Sequence, residues 1–414
     1  MNIVYLNPVG ALGGGERSLL DVMASVRQAD PLARLSLVAC TDGPLLDHAR
    51  RLGVRVLLLP MPEALVELGD SGWKGRPPLD TFITLARRGP AAAWTTWCYA
   101  RRLRRAIRGL QPDIVHSNGI KCHLLTRLAG TATAPVLWHI RDFLSTRPLM
   151  ARALRWASAR ACAGIAISQA VGADARTVLR RLPVEPIYNA VDTEHFAPGP
   201  GDGPQLDRLA GLESAGPDAI RIGLVATFAR WKGHEVFLEA AARVWHGQPS
   251  TPIRFYIIGG PIYRTHGAQV SDAELRAKAA ALGIAKQVGF IGFQENTADV
   301  YRALDIVVHA STQPEPFGRT IVEAMACARP VIVSQAGGAA ELFTHGHDAL
   351  GVPPGDATAL ASAILPLIRD RGARQRIAAH ARRTAVERFS RERLGRQILS
   401  TYRRILTPTP RAAA

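Results

Sequence analysis

Carboxylates are scarce in this chain: its 414 residues carry 34 Asp and Glu against 51 Lys and Arg, a formal net charge of +17. The deficit implies attraction to something anionic, such as a nucleotide, a phospholipid surface or nucleic acid. Cysteine is sparse as well. Five are scattered along the chain (Cys40, Cys98, Cys122, Cys162, Cys327), odd in number and never as Cys-x-x-Cys. Neither a disulfide framework nor a zinc site follows, and a reducing cytosol is the expected compartment. No run of about 18 apolar residues free of charge occurs, so no helix is expected to span a bilayer. The start, Met1-Asn2-Ile3-Val4-Tyr5-Leu6-Asn7, lacks a basic n-region and reads as a strand rather than a signal peptide. No zinc-finger spacing, aromatic RNA-binding motif or basic tail accompanies the positive charge, so nucleic acid is not the expected partner.

What is present is an alternation of strands and helices over a length that suits two α/β domains rather than one core. Hydrophobic residues make up 47% of the chain, ordinary for a globular protein. In the first half the apolar runs are Asn2–Leu6, Arg34–Ala39, Val54–Leu59, Asp113–His116, Pro135–Ile140 and Gly164–Ile167, separated by helical stretches such as Gly15–Arg27 and Met150–Arg160. The pattern restarts with Ile220–Ala226, Ile253–Gly259, Gln287–Gly292, Asp305–Ala310 and Pro330–Ser334. Parallel sheets with crossover helices are the natural reading. The Gly/Pro-rich segment Pro198-Gly199-Pro200-Gly201-Asp202-Gly203-Pro204 marks the join. This predicts a first domain over 1–197, a linker over 198–219 and a second domain over 220–385. Helical sequence continues to 406, and a flexible tail is expected over 407–414.

Chemistry concentrates in Thr312-Gln313-Pro314-Glu315-Pro316-Phe317-Gly318-Arg319-Thr320-Ile321-Val322-Glu323. A strand should precede it and a helix should open at the Phe-Gly step, placing Glu315 in the loop and Glu323 in the helix. A helix N-terminus presents N–H groups and positive dipole to a phosphate. Ionised carboxylates only accept hydrogen bonds, so here they suit the hydroxyls of a sugar or ribose. Phosphate beside polyol describes a nucleotide-sugar site. Two cations and a glycine in Arg230-Trp231-Lys232-Gly233, ahead of a helix, make the same sense: they would hold a diphosphate and neutralise charge on the departing nucleotide.

These segments resemble the E-x7-E signature and phosphate loop of retaining glycosyltransferases of family 4 (group 1). That resemblance implies the GT-B fold, two Rossmann-like domains facing each other across a cleft. Further segments are similar to the family's: the glycine loop Ala11-Leu12-Gly13-Gly14-Gly15-Glu16-Arg17, the turn Ile257-Ile258-Gly259-Gly260-Pro261, Gln335-Ala336-Gly337-Gly338-Ala339-Ala340-Glu341, and Pro186-Ile187-Tyr188-Asn189-Ala190-Val191-Asp192. In the last of these Ala190 stands where glycine is usual.

By resemblance, Glu323 accepts from the ribose and Glu315 from the transferred sugar. Arg230 and Lys232 hold the phosphates, and Gly14, Gly15 and Gly259 let backbone approach the donor. The backbone of Phe317, Gly318, Arg319 and Thr320 would line the pocket, with no role given to the Arg319 side chain. His139, ending the run Val136-Leu137-Trp138-His139, is the candidate for contact with the donor sugar near the reacting carbon. Arg141 or Asp142 could share that task. The catalytic set is thus Glu315, His139, Arg230 and Lys232. The implied reaction is transfer from a nucleoside-diphosphate sugar, UDP- or GDP-linked, with retention, to a glycan or lipid-linked acceptor in bacterial polysaccharide or glycolipid synthesis. No Asp-x-Asp motif is present to hold Mg²⁺, and neither a metal nor any other cofactor is expected. The last helix, around Phe389–Ile405, should cross back onto the first domain. Acceptor contacts are expected from 61–78 and from His116-Ser117-Asn118-Gly119-Ile120-Lys121.

Alternatives remain. A GT-B epimerase or a non-catalytic nucleotide-binding member would share the site, and a basic nucleic-acid-binding protein would share only the scaffold. The segment Ala91–Leu110, near Trp73, Arg87 and Arg88, is also open to two readings. Trp94 and Trp97 with Arg101, Arg102, Arg104, Arg105 and Arg108 would suit an anionic membrane face and a peripheral cytoplasmic location. Alternatively, Leu103, Ile107 and Leu110 face the core of an ordinary surface helix.

Overall fold

Among the described residues thirteen mostly apolar strands form two parallel sheets in a computed structural model of the protein. It describes residues 1–62, 78–130, 134–248, 252–261 and 269–407, with the backbone alone for 78–92. The chain divides into two compact units, Met1–Ala190 with Arg391–Ala414, and Val191–Ser390.

In the first unit the strands are β1 (Asn2–Asn7), β2 (Arg34–Ala39), β3 (Arg55–Leu58), β4 (Ile114–Asn118), β5 (Val136–Ile140), β6 (Ala163–Ala166) and β7 (Val184–Pro186), in the order β3-β2-β1-β4-β5-β6-β7. Strands covered by helices on both faces read as continuous apolar runs, which is why β1, β2 and β5 are legible as such. Tyr5 lies opposite His116, and Asn118 opposite His139. One face is covered by the helix Gly14–Ala29 and the last helix, Arg391–Leu406. Leu19, Val22, Met23 and Val26 share a core with Leu394, Ile398, Leu399 and Tyr402. The two helices can approach because residue 395 is Gly: a Cβ there would lie 2.3 Å from the Ser25 carbonyl oxygen. Arg391 pairs with buried Asp21 at 2.6 Å, tying the start of the last helix to the first.

The second unit contains β8 (Ile220–Val225), β9 (Ile253–Ile258), β10 (Val288–Ile291), β11 (Ile306–His309), β12 (Val331–Ser334) and β13 (Leu350–Val352), ordered β10-β9-β8-β11-β12-β13. The order in which successive strands are added reverses between β1 and β4 in the first unit and between β8 and β11 in the second. In open parallel sheets ligands bind beyond the carboxyl ends of strands at such a reversal. The loops after β1 and β4, and after β8 and β11, are therefore the places to look.

The units divide earlier than the Gly/Pro-rich segment suggests, between Ala190 and Val191. Val191 N–H donates to the Phe389 carbonyl, Arg302 binds the carbonyls of His195 and Ala197, and Arg382 those of Thr193 and Phe196. These bonds bind residues 191–197 into the second unit. Gly203 opens a short helix, Gly203–Leu209, capped by Asp202, so 198–219 is not a bare linker. The crossing helix begins at Arg391, after a break at Ser390 from the helix Arg371–Phe389. Ala190 is not left-handed; among the described residues only Gln111 and Ala328 have positive φ without being glycine. The expected tail, apart from Thr407, and most of the candidate acceptor segment 61–78, including Trp73, lie outside the described residues, as do the side chains of Arg87 and Arg88.

Candidate functional site

Three loops of the second unit close around one carboxylate. After β8 the chain runs to Arg230–Lys232 and turns at Gly233, whose φ is +74°. A Cβ there would lie 1.9 Å from the Ala310 carbonyl oxygen, so only glycine lets this loop meet the one after β11. Thr312 N–H donates to the Trp231 carbonyl at 2.8 Å, and Glu315 N–H to that of Ala336 at 3.2 Å. Gly338 N–H donates back to the Glu315 carbonyl at 2.7 Å, across a turn where Gly337 takes φ +65°. Within this frame Glu315 is 8% exposed. Its Oε2 accepts from Lys232 Nζ at 2.7 Å and Ser311 Oγ at 3.0 Å, and lies 3.3 Å from His309 Nε2. All three contacts fall on Oε2, which leaves Oε1 as the oxygen on offer. Burial pushes the Glu315 carboxyl up, but the Lys232 ammonium and the His309 ring outweigh it and hold the group well below the usual carboxylate range. Lys232 also lies over the Trp231 ring, 4.0 Å from its centre.

The helix Arg319–Ala326 begins at Gly318, whose φ of +96° turns the chain into it, and no side chain caps it. One turn in, Glu323 is held from both sides: Arg319 Nε donates to Oε1 at 2.6 Å and Tyr301 OH to Oε2 at 3.0 Å. The Arg319 side chain, given no role from sequence, thus orients the second acid. Phe317 is buried and meets Phe389 edge-on at 6.0 Å, so only its backbone remains for a ligand. Gly259 takes φ +143°, and a Cβ there would lie 2.0 Å from the Ala226 carbonyl oxygen. Arg230 stands apart from the Glu315 cluster. Half-exposed, its guanidinium pairs with Glu274 at 2.7 Å and Glu235 at 3.6 Å.

In the first unit the loop after β1 enters the helix Gly14–Ala29. Glu16 reaches back to the Gly13 N–H at 3.2 Å, and a Cβ at Gly14 would meet nothing within 4 Å. The nearest atom to a Cβ on Gly15 would be Cδ of Arg141, at 3.8 Å. Arg141 donates to the side-chain oxygens of Asn118 and of Asn189, the latter at 3.1 Å, and lies 3.4 Å from His139 Nδ1. Asp142 is exposed and makes none of these bonds. His139 is 1% exposed, with Nδ1 3.0 Å from His116 Nε2. His116 in turn meets Tyr402 OH at 2.6 Å. Burial first, then the Arg141 charge, keeps the His139 ring well below its usual pKa, hence neutral.

The long helix Pro78–Leu110 buries one stripe of its described side chains and exposes another. Tyr99, Leu103, Ile107 and Leu110 are buried, while Arg101, Arg102, Arg105 and Arg108 are exposed and Arg104 is half-buried. Trp94 and Trp97 remain 65% and 47% exposed, stacked on each other at 5.0 Å, with Arg101 over Trp97 at 4.4 Å. Trp94, Trp97, Arg101, Arg105 and Arg108 follow helical spacing along one stripe. No helix among the described residues is long and apolar enough to cross a membrane.

The sequence reading does not include His309, Ser311 and Tyr301 around the two acids, or Asn189 and Tyr402 near His139; it assigns His116 and Asn118 to acceptor contact, whereas here they bond His139 and Arg141. For His309 and Ser311 a signal existed: alternate positions at a strand end project to one side, here toward Glu315. For Tyr402, almost at the far end of the chain, there was none.

The chain belongs to the group 1, family 4 glycosyltransferases, and its two parallel-sheet α/β units are those of the GT-B class. Residues 214–384 match the family described as "Glycosyl transferases group 1" and residues 13–195 that described as "Glycosyltransferase Family 4". It is 34% identical over 208 residues to the D-inositol 3-phosphate glycosyltransferase of Rhodococcus erythropolis, covering 50% of this chain and 45% of that protein. To the lipopolysaccharide core biosynthesis mannosyltransferase LpsB of Rhizobium meliloti it is 28% identical over 227 residues, covering 54% and 62%. The chain spans about half the length of the curated relatives it matches. Among solved structures it is similar to HepE of Anabaena in complex with UDP-glucose, with a TM-score of 0.78, 25% identity and coverage of 98% and 100%.

Proposed function

We propose that the protein transfers a sugar from a nucleoside-diphosphate sugar to a glycan or lipid-linked acceptor, with retention at the anomeric carbon and without a metal. The observation that carries this reading is the paired-acid arrangement beyond β8 and β11: Glu315 fixed by Lys232, Ser311 and His309, and Glu323 fixed by Arg319 and Tyr301. Glu315, ionised and bonded on one oxygen, is a strong acceptor for sugar hydroxyls through the other. The same bonds make it a poor nucleophile or proton donor, so the reading invokes no covalent sugar–enzyme intermediate. Glu323 keeps lone pairs for the ribose hydroxyls. Lys232 neutralises charge that develops on the diphosphate, with exposed Arg230 free to swing from Glu274 to assist, and the uncapped helix Arg319–Ala326 adds its dipole. These fixed positive groups take the place of a divalent cation. In the first unit Gly14, Gly15 and His139 would meet the donor sugar.

HepE was solved with UDP-glucose, which favours a UDP donor over the GDP alternative. LpsB acts in lipopolysaccharide core biosynthesis, which favours a glycolipid or polysaccharide acceptor in a bacterial pathway. The test is thermal stability against UDP-, GDP-, ADP- and dTDP-sugars, repeated with Lys232→Ala and Glu323→Ala. Ligand at a hundred times its dissociation constant stabilises the native state by about 2.7 kcal/mol. One nucleotide series should shift the native protein, and either substitution should abolish the shift. No shift at millimolar ligand would sink the reading. Product formed without added acceptor would favour an epimerase.

The Trp94–Arg108 stripe supports a second element, peripheral contact with anionic lipid at the cytoplasmic face. Each basic residue near such a surface contributes about 1 kcal/mol, and exposed tryptophans suit the headgroup layer. Co-sedimentation with vesicles containing phosphatidylglycerol, but not with pure phosphatidylcholine, is expected, and Trp94→Ser with Trp97→Ser should abolish it. Equal partition with both vesicle types would remove this element and leave the transfer reading intact.

A further inference from the structure

We infer that Tyr402 and His116 are positioning residues that lock His139 in one neutral form, its proton on Nε2, so that the ring offers a fixed hydrogen-bond donor to a bound oxygen. The identity of that oxygen, a sugar hydroxyl or a phosphate oxygen of the donor, rests on the transfer reading above; the proton placement does not. Tyr5, His116 and His139 lie on one face of β1, β4 and β5, with ring centres 5.2 Å and 5.1 Å apart in sequence. Helix Arg391–Leu406 covers that face and inserts Tyr402 edge-on against His116.

The direction of the protons follows from which groups can only donate. Tyr402 OH is 2.6 Å from His116 Nδ1 but 3.5 Å from Tyr5 OH. Hydroxyl hydrogen bonds to oxygen run about 2.5–3.0 Å, so the Tyr402 hydroxyl pairs with His116 and not with Tyr5, and it is the donor of that pair because Arg141 fixes the other end of the relay. His116 Nδ1 then accepts, its Nε2 carries the hydrogen, and that N–H donates to His139 Nδ1 at 3.0 Å. From the other side Arg141, which has donors only, also faces His139 Nδ1, at 3.4 Å. Both neighbours therefore require a lone pair on Nδ1, and the His139 proton sits on Nε2. The assignment comes from the hydrogen-bond network, as tautomers must. Burial supports it. The His116 ring is pushed down to about 3 by burial and by Arg141, and the Tyr402 hydroxyl is pushed up by burial, so each keeps the neutral form the relay needs.

His139 Nε2 is buried and has no partner among the described residues. Buried N–H groups are nearly always satisfied, and leaving one unmade is costly. The orphan is explained if its acceptor arrives with substrate. Residue 402 would thereby act on chemistry through two rings without touching the donor.

The test is nitrogen NMR of the protein labelled at histidine, read without ligand and then with UDP-glucose. Both His116 and His139 should carry the proton on Nε2, and a proton on Nδ1 of either overturns the inference. Tyr402→Phe should leave His116 without a single tautomer and lower UDP-glucose turnover roughly tenfold, in kcat more than KM, the size of one lost hydrogen bond. In a His139→Ala background the same change should cost nothing further. His116→Gln, which presents an oxygen to Tyr402 and an N–H to His139, should recover most of what His116→Leu loses. Additive losses, or Gln no better than Leu, would mean that the two residues only pack. Absence of UDP-glucose binding would count against the donor reading, while the ring-nitrogen result would still decide the relay.

Discussion

The acid cluster of the second unit lies in loops past the ends of β8 and β11, the histidine cluster of the first lies within β4 and β5 beside Tyr5 of β1, and the two are built on opposite electrostatic principles. Around Glu315 the Lys232 cation is paired with the carboxylate, which must stay ionised. Around His139 the rings are neutral, the Arg141 guanidinium is the charge that acts on them among the described residues, and the histidines must stay unprotonated. Ion pairs taken out of water tolerate the loss of a partner poorly, because the survivor is a buried charge. Neutral hydrogen-bond chains tolerate it better, because a polar isostere can fill the gap. The comparison teaches where each unit is fragile.

The largest expected effect tests this directly. Lys232→Met should destabilise the second unit by about 3 kcal/mol, since Glu315 loses its cation, whereas His116→Gln should cost about 1 kcal/mol or less. Urea unfolding measures both, and equal losses would break the contrast. Next comes acid. Glu315 has its pKa depressed on folding, so its contribution is present at neutral pH and lost as pH falls. His234 is likewise depressed, from 6.5 to about 4, by burial and then by Lys232, and His116 from 6.5 to about 3. Between 6.5 and those values the unfolded chain binds protons that the folded rings refuse, so stability falls with acid. The slope should approach about 1.4 kcal/mol per pH unit for each ring. His234→Phe should flatten the profile between pH 6.5 and 4, measured as unfolding midpoints, and an unchanged slope would contradict the burial argument. The smallest effect is expected for Tyr301→Phe. It removes one neutral donor from Glu323 while the Arg319 cation remains, costing about 1 kcal/mol. It should weaken nucleotide binding, read by calorimetry, more than it weakens the fold.

The same contrast governs what could be read beforehand. The second-unit site comes from short stretches whose spacing is itself the signal: Glu315 to Glu323 across a Gly-opened helix, and Lys232 before Gly233. The first-unit cluster joins β1, β4, β5 and a helix some 260 residues after His139, and no local pattern announces such a meeting. His139 is singled out by the family resemblance, which places a histidine at the end of this apolar strand. Edge strands were missed for a simpler reason. β7 and β13 are three residues each, too short for alternation, and Pro186 cannot donate to a ladder. The unit boundary was misplaced because Gly and Pro are turn formers wherever they occur. What fixed it was Arg302 and Arg382 binding distant carbonyls.

The return of Arg391–Leu406 to the first unit has a consequence for biosynthesis. Leu394, Ile398, Leu399 and Tyr402 complete the core over Leu19, Val22, Met23 and Val26. Those core residues are made before their cover, with the whole of Val191–Ser390 translated in between. Domains usually fold as they emerge, but here the first unit must wait on the ribosome with a greasy flank uncovered. The second unit, being continuous, can finish while the first is still open. A nascent chain of this design would be a client for chaperones until the helix Arg391–Leu406 has emerged.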